Sequence, residues 1–248
     1  MKCRGLVLCA SLVVPTAALA QDSGWDYLIE PYVMFPNMKG ETGIGNLPPV
    51  HVDQNPGDIF DHLQMGAMLF VEARNDRWAF SSDVLYMDLA ADVPGGSLLS
   101  GSVGVSQLGW ELAAMRRLAP WLELGVGATY NRIDADVKLV VQSPLGSTSS
   151  LESSGTEEWI DPTIVARATA PIGEKWFVQA RANLGGFGVG SDLVWQLQAD
   201  VGYRPSERWR ITFGYRVIDI DYDHGKQSGR FMYDIQTFGP VLRLGYSF

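Results

Sequence analysis

The amino-acid sequence predicts an all-β protein, a single up-and-down antiparallel transmembrane β-barrel of ten strands, with eight as the alternative count. Three observations predict it. Apolar and polar residues alternate with period two through most of the chain, and short connections alternate with longer ones. The third is a Trp at the start of every second strand: Trp25, Trp78, Trp121, Trp176 and Trp209.

The N-terminus is read separately. A short basic start with Lys2 and Arg4, an apolar run, and "ALA" before Gln21 predict a secretory signal peptide over Met1–Ala20, leaving 21–248 as one barrel domain. That apolar run is too short to span a bilayer as a helix, and no later segment approaches twenty continuous apolar residues. Cys3 and Cys9 both lie in the leader, so no disulfide is expected in the remainder. Without Lys2 and Arg4 the chain holds 17 basic against 28 acidic residues, which argues against a nucleic-acid partner.

Strands are expected over 25–36, 63–74, 78–91, 102–117, 121–141, 158–171, 175–187, 193–205, 209–223 and 230–248. Tight connections fall at 75–77, 119–120, 173–175 and 205–208; most others are longer or rich in Gly and Ser, including "SPLGSTSSLESSG" after Gln142. Tight turns at one end and loops at the other describe an up-and-down barrel. Within the first loop, "PGDIFDHL" predicts a short helix capped by Asn55, over or in the barrel mouth. Pro31 and Pro240 predict weakened pairing at the seam where strands one and ten meet; Pro162 has no account from the sequence.

The apolar parity carries aromatic pairs eight residues apart: Tyr27 with Phe35, Trp78 with Tyr86, Trp195 with Tyr203, and Phe238 with Tyr246. Eight tilted strand residues rise about 20 Å, close to the height of a barrel's apolar band. Aromatic rings favour the headgroup boundary, so Trp25, Trp78, Trp121, Trp176, Trp209, Tyr246 and Phe248 are expected at the membrane interface. Trp121 shares the parity of Glu123 and joins the belt only if the strand becomes regular after it.

With its leader, its alternating strands and its terminal "GPVLRLGYSF", the chain resembles the small outer-membrane β-barrel superfamily of Gram-negative bacteria, the OmpA-like and surface-antigen barrels. The resemblance implies an outer-membrane location and a C-terminal strand read by the barrel-assembly machinery. It implies little about activity, because one barrel scaffold carries many functions.

The parity opposite the lipid is charged. Glu30, Glu72, Asp83, Glu111 and Glu123 come from the first five strands; Arg167, Arg181, Arg204, Arg210, Arg216 and Arg243, with Asp161 and Asp200, come from the last five. Such a lumen is either a salt-bridged plug or a path for ions. Barrels of about eight strands are filled by side chains, which favours the plug.

At the loop end, Asp219, Asp221 and Asp223, and likewise Asp134 and Asp136, share an outward parity, either as solvated strand ends or as holders of Ca²⁺ or Mg²⁺ near lipopolysaccharide. Neither a cofactor nor a built-in metal is expected. Asp223–His224 resembles the Asp–His pair of ten-stranded outer-membrane proteases, but no second acidic pair accompanies it, and no His–x–Ser motif marks a lipid A deacylase. The expectation is a non-enzymatic surface barrel serving envelope integrity or recognition, with partners in outer-membrane lipid and lipopolysaccharide. A narrow channel for small solutes is the alternative, and a surface protease or lipid-modifying hydrolase the second.

Overall fold

The computed structural model describes residues 24–44, 49–93, 99–142, 148–225 and 230–248; Met1–Ala20 lie outside them. Twelve strands and one helix are formed: β1 (Asp26–Met34), β2 (Asn37–Ile44), β3 (Val50–Gln54), α1 (Pro56–His62), β4 (Leu63–Arg74), β5 (Trp78–Val93), β6 (Leu99–Ala119), β7 (Leu122–Gln142), β8 (Thr148–Ile172), β9 (Trp176–Gly186), β10 (Leu193–Tyr203), β11 (Trp209–His224) and β12 (Phe231–Ser247). Ten of them, β1 and β4 to β12, pair antiparallel in chain order, and β1 closes on β12. The result is a closed ten-stranded up-and-down barrel.

Two segments read as loops are strands. The first loop holds β2 and β3: β2 continues the line of β1 along the upper part of β12, and β3 returns beside it. From Thr148 on, the Ser-rich stretch belongs to β8, which pairs with β7 from Thr148 to Ala168. Both segments project past the apolar band, where the outer face meets water instead of lipid and no sustained apolar alternation marks a strand.

The tight turns explain the Trp positions. Asn75 Oδ1 accepts hydrogen bonds from the backbone N–H of Arg77 and of Trp78, each 2.8 Å, and Ser206 Oγ accepts from Trp209 N at 3.2 Å. Each turn side chain thereby delivers a Trp onto the first outward position of its strand. Rings then pack in clusters around this end, Trp176 with Tyr203 (4.8 Å), Trp209 edge-on to Tyr246 (4.9 Å), Tyr27 stacked on Phe248 (5.7 Å) and Trp25 with Phe80 (5.8 Å). Trp121 falls in the turn before Leu122, next to a register irregularity between Arg117 and Ala119, and is exposed. Above this level Ile164, Leu197, Phe213 and Leu242 are exposed on the outer wall, while their strand neighbours are buried inside.

The prolines sit where ladders are already interrupted. The β1–β12 register passes from Ile29↔Tyr246 to Tyr32↔Arg243 and skips Pro31. The carbonyl of Pro240 accepts from Phe35 N at 2.9 Å, where β1 gives way to β2. Pro162 stands one residue beyond the last β8–β9 pair, Thr163↔Gly185, so its missing donor falls where β9 has turned away.

Trp159, by contrast with the belt, is buried inside the barrel, its ring centre 4.0 Å from that of Tyr222. Trp78→Ser and Trp209→Ser are therefore expected to slow membrane insertion several-fold with modest loss of final stability, since Trp gains most at the interface. Trp159→Ser should do the reverse. Insertion kinetics into vesicles, followed by gel mobility, check this; equal slowing by all three would remove the belt assignment.

Candidate functional site

Among the described residues, the lumen is where the fold gathers buried charge. Its floor, at the tight-turn end, gathers side chains from strands distant in sequence. Arg167 on β8 donates to Glu72 on β4 and, through Nε at 2.6 Å, to Glu123 on β7. Arg74 joins Glu123 at 3.0 Å and Glu72 at 3.7 Å, and Arg117 reaches Glu123 at 3.6 Å. Glu30 takes a two-pronged contact from Arg210 at 2.5 and 2.8 Å. Gly245 makes room for it: a Cβ there would lie 2.5 Å from Glu30 Oε1 and 2.7 Å from Arg210 Cγ.

The middle level is a second network. Asp83 accepts from Tyr32 OH at 2.7 Å and faces Arg216 at 3.2 Å and Arg243 at 3.9 Å. Gln196 accepts from Arg216, and Gln198 from Arg243. Arg243 also lies over the rings of Tyr32 (4.6 Å) and Phe70 (5.4 Å), where the π faces stabilise its charge. Glu111 takes Arg181 and Asn183 as donors.

Three residues expected among these charges stand apart from the ion pairs. Asp161, wholly buried, accepts instead from Asn131 Nδ2 (3.0 Å), Trp159 Nε1 (3.0 Å), Ser191 N (2.6 Å) and Ser191 Oγ (2.9 Å). Asp200 accepts from Gln198 at 2.8 and 2.9 Å. Arg204 is exposed at the floor and lies 4.4 Å above the Phe177 ring.

Over the networks sits an apolar lid of Ile133, Trp159, Val194, Ile220, Tyr222, Tyr233 and Ile235, with Met38 of β2 and Val52 of β3 packed against it. Between lid and charges lies a cavity of about 70 Å³, bounded by Asp83, Glu111, Gln196 and Arg216 below and Val194 and Ile220 above. Its walls are polar enough, and it is large enough, for a few waters. The lumen is thus filled in two chemically distinct layers.

At the loop end the carboxylates point outward. Asp223 is held by Arg230 at 2.5 and 2.8 Å, a contact that lowers its pKa, while Asp134, bonded to Arg132, Thr156 and Ser106, is likewise lowered. Asp221 lies opposite Asp234, with Asp192 and Asp219 near; desolvation and these neighbours raise its pKa. Its protonated form is therefore favoured by folding, a contribution present at low pH and lost as pH rises through the raised value. Among the described residues no three His, Cys, Asp or Glu side chains are arranged to hold a metal ion.

No protein-family model and no curated protein matches the chain. Among solved structures, the outer membrane protease OmpT from Escherichia coli aligns at TM-score 0.54 and 10% identity, covering 94% of this chain and 100% of that one. The attachment invasion locus protein Ail of Yersinia pestis aligns at 0.35 and 10%, covering 91% and 99%; the toluene transporter TodX of P. putida at 0.37 and 11%, covering 92% and 91%. The fold is that of the Gram-negative outer-membrane β-barrels.

Proposed function

We propose that the protein is an outer-membrane surface barrel with a sealed lumen, serving envelope integrity or recognition through the strands and loops that project beyond the membrane. The observation that carries this is the doubly filled interior: the floor of ion pairs and the apolar lid close the bore at two levels. A wall apolar outside and aromatic at the turn end supports contact with lipid and lipopolysaccharide. The strand β12, with Leu242, Leu244 and Tyr246 at alternate positions, suits recognition by the barrel-assembly machinery. A protease-like Asp–His pair would need Asp223 and His224 to face one another at the loop end. Asp223 there is engaged by Arg230, and His224 shares the inward parity of Tyr222 and so faces away from Asp223.

The refolded protein should migrate as a heat-modifiable band. Vesicles containing it should admit small sugars no faster than empty vesicles. Swelling at porin-like rates would overturn the sealed-lumen reading, and recovery as a soluble periplasmic protein would overturn the membrane assignment.

A further inference from the structure

The barrel wall parts on one side. The β1–β4 ladder ends at Pro31↔Leu69, so Leu63–Met68 of β4 pair with β5 alone while β1 continues upward beside β12. Where the next rungs would stand, the backbone N–H of Met34 is directed at Met68 Sδ at 3.3 Å. A thioether is a weak acceptor, so this stretch of wall is held by packing instead of a ladder.

α1 lies beside that parting. Its first turn is closed internally: Asn55 Oδ1 accepts from Gly57 N (2.8 Å) and Asp58 N (3.2 Å), and Asp58 accepts from Asn55 N (3.1 Å). The helix thus satisfies its own end without borrowing groups from the barrel, and it joins β4 at a register shift between Leu63 and Met65. Its attachment is by side chains. Ile59 is buried toward the lumen side, and Phe60 packs on Phe35 at 5.6 Å, both rings partly exposed on the outer face near the upper end of the aromatic span.

Behind the helix is a cavity of about 120 Å³ lined by Met34, Ile59, Phe60, Leu63, Met68 and Met87. Met87 also borders the lumen cavity. The lining is apolar and rich in methionine, whose unbranched side chain repacks around guests of different shape. A cavity of about 150 Å³ with apolar walls stays dry and takes up benzene. The space here is of that size and too small for an acyl chain.

We propose that this is a binding site for a compact apolar molecule of about benzene size, entering from the membrane through the parting between β1 and β4, with α1 as its cover. The site lies above the ion-pair floor, so it is a side chamber and not a through-channel.

The test uses the full chain refolded into nanodiscs with [¹³C-methyl]methionine and benzene as probe. The Met34, Met68 and Met87 methyl signals should shift saturably. Met65, exposed at 57%, and Met115, buried in a separate cluster, should show only the small linear drift of bilayer partitioning. Ile59→Trp should fill the chamber and weaken apparent affinity at least tenfold, with the Met115 signal reporting an intact barrel. If that variant fails to fold, Ile59→Ala provides the second arm: the enlarged chamber should bind naphthalene, which the parent excludes. Equal or purely linear shifts at all methionines, unchanged binding in Ile59→Trp, or naphthalene binding no different between Ile59→Ala and the parent would overturn the proposal. Stronger saturable binding of a long-chain alkane than of benzene would overturn the compact-ligand assignment.

Discussion

Arg167→Gln lowers the unfolding free energy of the refolded barrel by about 3–5 kcal/mol, the range for removing one member of a buried pair. Arg167 is 3% exposed and is the shared partner of Glu72 and Glu123. Its loss leaves two carboxylates side by side with Arg74 and Arg117 as more distant compensation. Glu123→Gln should cost less than Arg167→Gln, because Glu72 stays bound to Arg167. The pair Glu72→Gln/Arg167→Gln should cost less than the sum of its singles, since neither charge is then orphaned. Urea midpoints for the singles and the double measure this. Single changes near zero and additive would mean that water already solvates these groups.

Asp161→Ala is expected to cost about as much through a different mechanism. No cation is lost; instead four donors, on Asn131, Trp159 and Ser191, lose Asp161 as acceptor, and of these Trp159 Nε1 keeps a second one in Ser191 Oγ. Each buried unsatisfied donor costs roughly 1–3 kcal/mol, with partial relief by rearrangement, so the total should be about 3–6 kcal/mol. The effect should also be local. Ser191 seats the β9–β10 turn inside the rim, where a Cβ on Gly190 would stand 2.7 Å from Asp161 Oδ1. Hydrogen exchange at Ser191 should therefore accelerate well before that of β5 or β6. Unchanged stability, or loosening spread evenly over the barrel, would show that the aspartate is not what anchors this turn.

These two sites mark what a reader of the sequence can and cannot obtain. Parity alone put Glu72, Glu123 and Arg167 inside, because a strand residue has two faces to choose from and its apolar neighbours declare the outer one. Which arginine meets which carboxylate depends on the stagger of ten strands around the closure, and no local pattern encodes that. Arg74 shares the parity of Glu72, Arg117 that of Glu111, and Trp159 lies two residues from inward Asp161, so the same alternation places all three side chains in the lumen. β2, β3 and the first ten residues of β8 were illegible for a solvent reason. Period-two apolarity appears only where one face of a strand meets lipid or core, and Thr148–Glu157 and Asn37–Ile44 carry polar or glycine residues on both. The helix was legible in its cap and its Pro, yet its position beside the β1–β4 parting depended on a ladder that stops early.

The central claim is that filled layers close the bore, and planar-bilayer recording on the unmodified protein tests it most directly. Membranes with inserted barrels, verified by gel mobility of the same preparation, should show no steady open level in symmetric potassium chloride. A stable, ohmic conductance in the unmodified protein, whose ion selectivity changes in Arg167→Gln while the urea midpoint does not, would contradict it.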